Sequence, residues 1–255
     1  MPGAKAVTVD VAYLYDGSFP GFFCCVYESV YGRELPASIE AEPLAQPSLF
    51  ERKHIATDHA KAERVRNSVA LKICPGALEL VQTVFLSCLP RKELALLRFL
   101  LLGYREGPKA LDMLGHPDVA PLVKAERHFW HERHLLTGFI RFADYNGMLA
   151  AAITPKNFVL PFLAEHFVGR FPGENFVIYD KTYKVALLYQ DRVKQLLSVE
   201  EMPFPNASPE ELRFQELWKR FYNTIAIEAR YNPKCRMTHM PKRYWENMTE
   251  MKELL

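Results

Sequence analysis

The stretch GFIRFADYNGMLAAAI, residues 138–153, decides the fold class. It contains two alternating runs that meet at Asn146-Gly147. A two-residue hairpin turn with positive φ at both central positions selects Asn-Gly, so an antiparallel hairpin is predicted here. Downstream, NFVIYDKTYKVALLYQ (residues 175–190) alternates in the same way and predicts a second hairpin turning near Asp180-Lys181. KNFVLPFLAEHFVGRF, residues 156–171, lies between them and reads as a helix with Pro161 placed awkwardly in it.

Upstream of that stretch the pattern is helical. From Thr57 to about Leu136 a cap at Thr57 or Asp58 opens a series of helices broken at Pro75-Gly76, Pro90, Gly107-Pro108 and Pro117 to Pro121. ELALLRFLLLGY (93–104) is apolar nearly all round, which predicts a buried central helix. At the start of the chain, Val7, Val9, Val11 and Tyr13 alternate with Thr8, Asp10 and Ala12, predicting a strand over 6–14. This strand stops at Asp16-Gly17-Ser18 and hands over to a helix. A Pro-rich connection from Pro36 to Pro47 follows, then a short strand around Leu49 to Ile55.

The last helix is the best marked. Ser208 caps it, Pro209 takes the first helical position, and Glu211 completes a capping box. Phe214, Leu217, Trp218, Phe221 and Ile225 form its apolar stripe, and the helix is predicted over about 209–231. The fold expected is α+β and helix-rich, with a mainly antiparallel sheet built from the N-terminal strand and the two hairpins. Two regions are expected: a strand-helix region over 1–90, and a core over 91–255 with the hairpins and a basic C-terminal helix. They are expected to pack as one continuous unit.

Composition bounds the function. The chain has 255 residues, 49% of them hydrophobic, enough for a sizeable core. Lys and Arg number 32 against 30 Asp and Glu, so any electrostatic partner must be met by a local cluster. Five scattered cysteines with no C-x-x-C pair fit a reducing cytoplasm and no disulfide frame. No run reaches the length of a membrane helix, and no export signal is visible. No metal or cofactor is expected. His128, His131 and His134 spread over a helix face without converging, and Glu132 between them does not make an H-E-x-x-H pair.

The cluster lies near the C-terminus. Residues 211–243 carry eight cations against three acids, a local excess of five. Phosphate attracts such density whatever the sequence. Tyr231, Tyr244 and Trp245 offer stacking faces for unpaired bases. The plain alternatives are a solvated helix face and a Trp245 that pins the tail. His166 and Arg170 lie four apart on one helix face, where both can reach one anion, and Asp180 ends a strand where an acid can orient them. The structural alternative is a buried ion pair. Asp16-Gly17-Ser18 presents main-chain N–H groups at a helix start, suited to a phosphate or to plain capping.

YDGSFPGFFCCVYES (residues 15–29), GFIRF, AEHFVGRF, VIYD, LWKRFYNTIAIEARYNPKCRMTHMPKRYW (217–245) and Glu250 together resemble a bacterial family of unknown function described as probable DNA metabolism proteins. Its pattern falls on Tyr15, Asp16, Gly17, Phe19 and Gly21, then on Gly138, Phe139, Arg141 and Phe142. Further on it falls on His166, Phe167, Arg170 and Asp180, and finally on Trp218, Ile227, Arg230, Pro241, Arg243, Tyr244 and Trp245. The resemblance implies DNA as a partner in repair or modification, with a radical-SAM protein and a uracil-DNA glycosylase as associates. It brings no assigned reaction. The chain's five cysteines do not form the four-cysteine cluster motif those enzymes require, so their chemistry belongs to partners.

Two functions follow. The first is an accessory protein of DNA repair or metabolism that binds nucleic acid or a nucleic-acid enzyme. It holds phosphate through Asp16, Gly17, Ser18, Arg170, Arg220, Arg230, Arg236, His239, Lys242 and Arg243, with Tyr244 and Trp245 beside them and Arg141, His166 and Arg170 lining the same groove. The second is an enzyme acting on a nucleotide or damaged base, with His166 or His134 as general acid/base, Asp180 orienting, and Arg141 and Arg170 on phosphate. A protein-binding scaffold would instead expose an apolar patch.

Overall fold

The computed structural model describes residues 7–42 and 50–252 and divides the chain into two compact units, Met1–Phe129 and Trp130–Leu255. In the first unit, β1 (Val7–Tyr15) runs into α1 (Phe19–Gly32), followed by β2 (Glu34–Ala41) and β3 (Glu51–His54). β1 lies between β2 and β3, parallel to both. The N-terminal strand therefore belongs to a small parallel sheet of its own and does not join the hairpins. Glu34 ties the three strands together, accepting from the Tyr13 hydroxyl on β1 and from Lys53 Nζ on β3 at 2.6 Å. The segment expected as a Pro-rich connection contains β2, and its residues 43–49 lie outside the described ones. Proline survives in β2 because the strand is at the sheet edge, where Pro36 can face away from the ladder without losing a bond.

The helical stretch resolves into α2 (His59–Lys72), α3 (Pro75–Phe85), α4 (Lys92–Glu106) and α5 (Ala120–Phe139), with a 3₁₀ turn at Gly107–Asp112. Asp58 caps α2, accepting from the N–H of Ala60 and Lys61 at 2.8 and 3.1 Å. As its composition predicts, α4 is buried, with Leu96, Leu97, Phe99 and Leu100 fully enclosed. Phe22, Phe23, Val69, Val81 and Val84 join them in one core.

The second unit holds a five-stranded sheet in the order β4-β5-β6-β7-β8. β4 (Ala143–Tyr145) and β5 (Met148–Ile153) form the hairpin at Asn146-Gly147, whose φ values of 57° and 87° are those the turn demands. α6 (Leu160–Arg170) crosses over to β6 (Asn175–Asp180), which pairs in parallel with β5. Pro161 is no obstacle, because it sits in the first turn of α6, where its missing N–H has no intrahelical acceptor. β7 (Val185–Gln190) and β8 (Val193–Ser198) complete the sheet antiparallel, making it mainly antiparallel overall.

α7 (Pro209–Ile225) ends earlier than its pattern suggests, giving way to a 3₁₀ turn at Glu228–Arg230, then α8 (Pro233–His239) and a 3₁₀ turn at Lys242–Asn247. Ser208 Oγ accepts from Glu211 N at 3.1 Å, as a cap should. The Glu211 carboxylate turns away from the cap, taking the N–H of Asp144 at 3.0 Å and the amide of Gln215 at 2.7 Å. No described helix is long and apolar enough to cross a membrane.

Candidate functional site

The C-terminal segment of the second unit is held down by two buried carboxylates. Glu132 projects from α5 into the interior, where an unpaired charge would be prohibitive. It accepts from the N–H of Lys156 and Asn157 and the Asn157 amide (2.6–3.1 Å), and from Arg243 Nη2 and the Tyr244 hydroxyl at 2.7 and 2.8 Å. Burial alone would raise its pKa, but these donors outweigh that and hold it below the usual carboxylate range. The second carboxylate, Glu250, takes Arg141 Nη2 at 2.7 Å, Arg141 Nε at 3.2 Å and the Trp218 indole at 3.0 Å. Trp245 is buried, donates to the carbonyl of Met240 at 2.9 Å, and is covered by Arg236 and Lys242.

Beside this anchor a groove of about 470 Å³ opens between the end of α5 with the 140–142 loop, the end of α6 and the flank of α7. Its wall is aromatic: Phe142 packs against Phe167 and Phe171 at 5.3 and 5.4 Å between ring centres. Phe214 and Trp218 of α7 complete it, with Arg170 at the rim. Arg141 lies 5.3 Å from the centre of the Trp218 ring, and its charge is taken by Glu250. The α7 stripe read from the sequence does not enter the core. Phe214 is 60% exposed and Phe221 53%, with Leu217, Trp218 and Ile225 also open. On the helical wheel, Arg213 and Arg220 border this stripe on the Leu217 side.

The expected site residues are dispersed. Arg141 and Arg170 share the groove, while His166 and Asp180 do not line it. His166 Nε2 is buried with no hydrogen-bond partner. Burial, with the charges of Arg133 and Arg170, lowers its pKa. Asp180 is fully buried. Its Oδ1 accepts from the N–H of Thr182 and Tyr183 at 2.9 and 3.1 Å, and its Oδ2 has no partner. Burial pushes it up to about 7. Among the described residues, no hydrogen bond or ion pair joins His166, Asp180 and Arg141.

Arg243, Tyr244 and Trp245, read as phosphate and base contacts, are taken up inside: Arg243 as counter-ion to Glu132, and the two rings by burial. The reason is electrostatic and steric, since a buried carboxylate on α5 requires donors and the segment supplies them. Arg236 lies between the rings of Tyr231 and Trp245, at 5.6 and 5.2 Å. Arg220 reaches Glu216 at 3.3 Å on the surface. Arg230, His239 and Lys242 are exposed.

Asp16, Gly17 and Ser18 lie in the first unit. Asp16 Oδ1 accepts from the Ser18 N–H and hydroxyl at 2.9 and 2.7 Å, its Oδ2 accepts from the Thr57 hydroxyl at 2.8 Å, and Ser18 Oγ accepts from Gly21 N. A Cβ on Gly21 would fall 2.2 Å from Asp16 Oδ1, so glycine is required for this turn to close.

From the sequence, Glu132 is read only as failing to complete an H-E-x-x-H pair and its anchoring role is missed, yet that role left a trace. Glu132 stands in the stripe Leu122, Ala125, Phe129, Glu132, Leu136 of α5, the one charge on an otherwise apolar helical row. A charge in such a place predicts a buried partner. A family model for a domain of unknown function, DUF4130, matches residues 90–250. The chain belongs to that family. The DUF4130 region contains both anchoring carboxylates, the aromatic groove and all of α7. No curated protein matches the chain.

Proposed function

We propose that this DUF4130 protein binds an unpaired nucleic-acid strand on the open face of α7 and in the groove beside it. One observation carries the reading: Phe214, Trp218 and Phe221 stand exposed in a row on one helix, with Arg213 and Arg220 along its border and Arg170 across the groove. Bases of any identity stack on such rings while cations hold the phosphates. Glu250 and Arg141 fix the Trp218 indole, so one platform is set before a ligand arrives. The reading places the protein as an accessory of DNA repair or metabolism. A radical-SAM protein and a uracil-DNA glycosylase are proposed associates on the strength of the resemblance.

The test is anisotropy titration of labelled oligothymidine and a matched duplex at several salt concentrations. Single strands bind more tightly, and affinity falls with salt. Arg170→Ala with Arg220→Ala lowers the slope of log K against log salt by about 1.4, at roughly 0.7 per phosphate contact. Phe214→Ala costs about 1–3 kcal/mol of binding. Equal affinity of all variants, or no binding at low salt, overturns the proposal. A pull-down from the native cell, with and without nuclease, identifies the associates.

A further inference from the structure

β8 ends the five-stranded sheet, and all six of its residues are exposed, Leu196 and Leu197 among them. Free edges of this kind are usually blunted by inward charges, bulges or a covering element, because they template the addition of another strand. Here the one charge on the strand, Lys194, is engaged with Glu165 of α6. The polarity of the edge follows from the turn. β7 and β8 join through Asp191-Arg192, both with positive φ, the two-residue turn whose closing pair, Gln190 and Val193, exchanges main-chain bonds. The odd-numbered residues thus bond to β7, as the N–H of Val199 does to the carbonyl of Lys184 at 2.9 Å. The even-numbered ones, Lys194, Leu196 and Ser198, turn their N–H and C=O outward.

We propose that this edge pairs with the β8 edge of a second copy of the chain, antiparallel, with the two-fold axis passing between the two Leu196 residues. Outward-facing groups then meet outward-facing groups: each Leu196 exchanges both main-chain bonds with the other, and Lys194 does so with the second copy's Ser198. Charge favours a copy of this chain over an unrelated strand, because the segment is basic at its start and acidic at its end. The same register sets Arg192 opposite the second copy's Glu200, twice over by symmetry. Both side chains are exposed, Glu200 even while it pairs with Lys184 of its own chain. Two five-stranded sheets then become one continuous sheet.

Light scattering and sedimentation of the full chain, free of nucleic acid, over a wide range of concentration test the pairing. The mass should rise with concentration toward that of a dimer. Leu196→Pro removes only an outward N–H and should leave the melting curve near that of the wild type while weakening the dimer about tenfold or more. Leu197→Pro, which breaks a bond to β7, should lower the melting temperature instead. Arg192→Glu and Glu200→Arg should each weaken association, and the double exchange should restore it. A monomer at every concentration overturns the proposal, as does a dimer indifferent to Leu196→Pro and to the charge exchange, or an edge that captures only segments of other proteins.

Discussion

Two buried carboxylates of the second unit show how neighbours decide what a charge does. Glu132 meets main-chain, guanidinium and hydroxyl donors, so it stays ionised and ties α5 to the 154–157 loop and to Arg243. Replacing it by Ala leaves the half-buried Arg243 without its counter-ion and the N–H groups of Lys156 and Asn157 without their acceptor. The expected loss is about 3–5 kcal/mol, read from denaturant unfolding. Asp180 has donors on one oxygen only and is pushed up to about 7 from 3.8. Between these values the unfolded chain gives up a proton that the folded chain retains, so stability contributed by this site falls as pH rises through that window. Asp180→Asn carries no such dependence. Its melting temperature relative to the wild type should therefore climb from pH 4 to pH 8, by the equivalent of about 2–4 kcal/mol. A difference flat in pH refutes the assignment.

Elements were legible wherever one local period governed them. The Asn146-Gly147 turn, the all-round apolar α4 and the capped start of α7 each express a backbone rule that residues nearby satisfy. Parallel pairing has no such local mark, because the partners of β1 are set by a crossover through α1 and by β3 arriving on the other side. β2 was obscured by Pro36, which an edge position tolerates. The end of α7 was overrun because no glycine or proline interrupts the chain between Pro209 and Asn232-Pro233, although the backbone turns extended at Ala226. The candidate site was the least legible part. A cation looks the same in sequence whether it faces solvent, as Arg230 does, or a buried acid, as Arg243 does. Since α7 leans on its cap more than on burial, Ser208→Ala should cost about 1 kcal/mol and should loosen α7 before the sheet. Faster amide exchange in the first turns of α7, with unchanged exchange in β6, is the expected record.

For the molecule as a whole, a net charge of +2 provides little long-range attraction, so the proposed strand binding has to come from side chains placed at one surface. That placement depends on the last described residues, since Tyr244, Trp245, Met248 and Met251 are buried and Arg243 and Glu250 answer Glu132 and Arg141. Cutting the chain after Pro241 would remove all six at once, leaving two charges of the second unit without counter-ions and its interior without four large side chains. Uncompensated buried charge and lost apolar burial act in the same direction, and their sum exceeds the few kcal/mol that separate a folded domain from its unfolded state. Hydrogen exchange on the truncated chain should then quicken throughout β4–β8, whereas amides of β1 and α4, whose core lies in the first unit, should keep their protection. Oligothymidine binding should vanish with the fold of the second unit, although Arg170, Arg213 and Arg220 all remain in the truncated chain. Retained protection in β6 and retained binding would show that the terminal segment is dispensable, and that α7 holds its position by its cap alone.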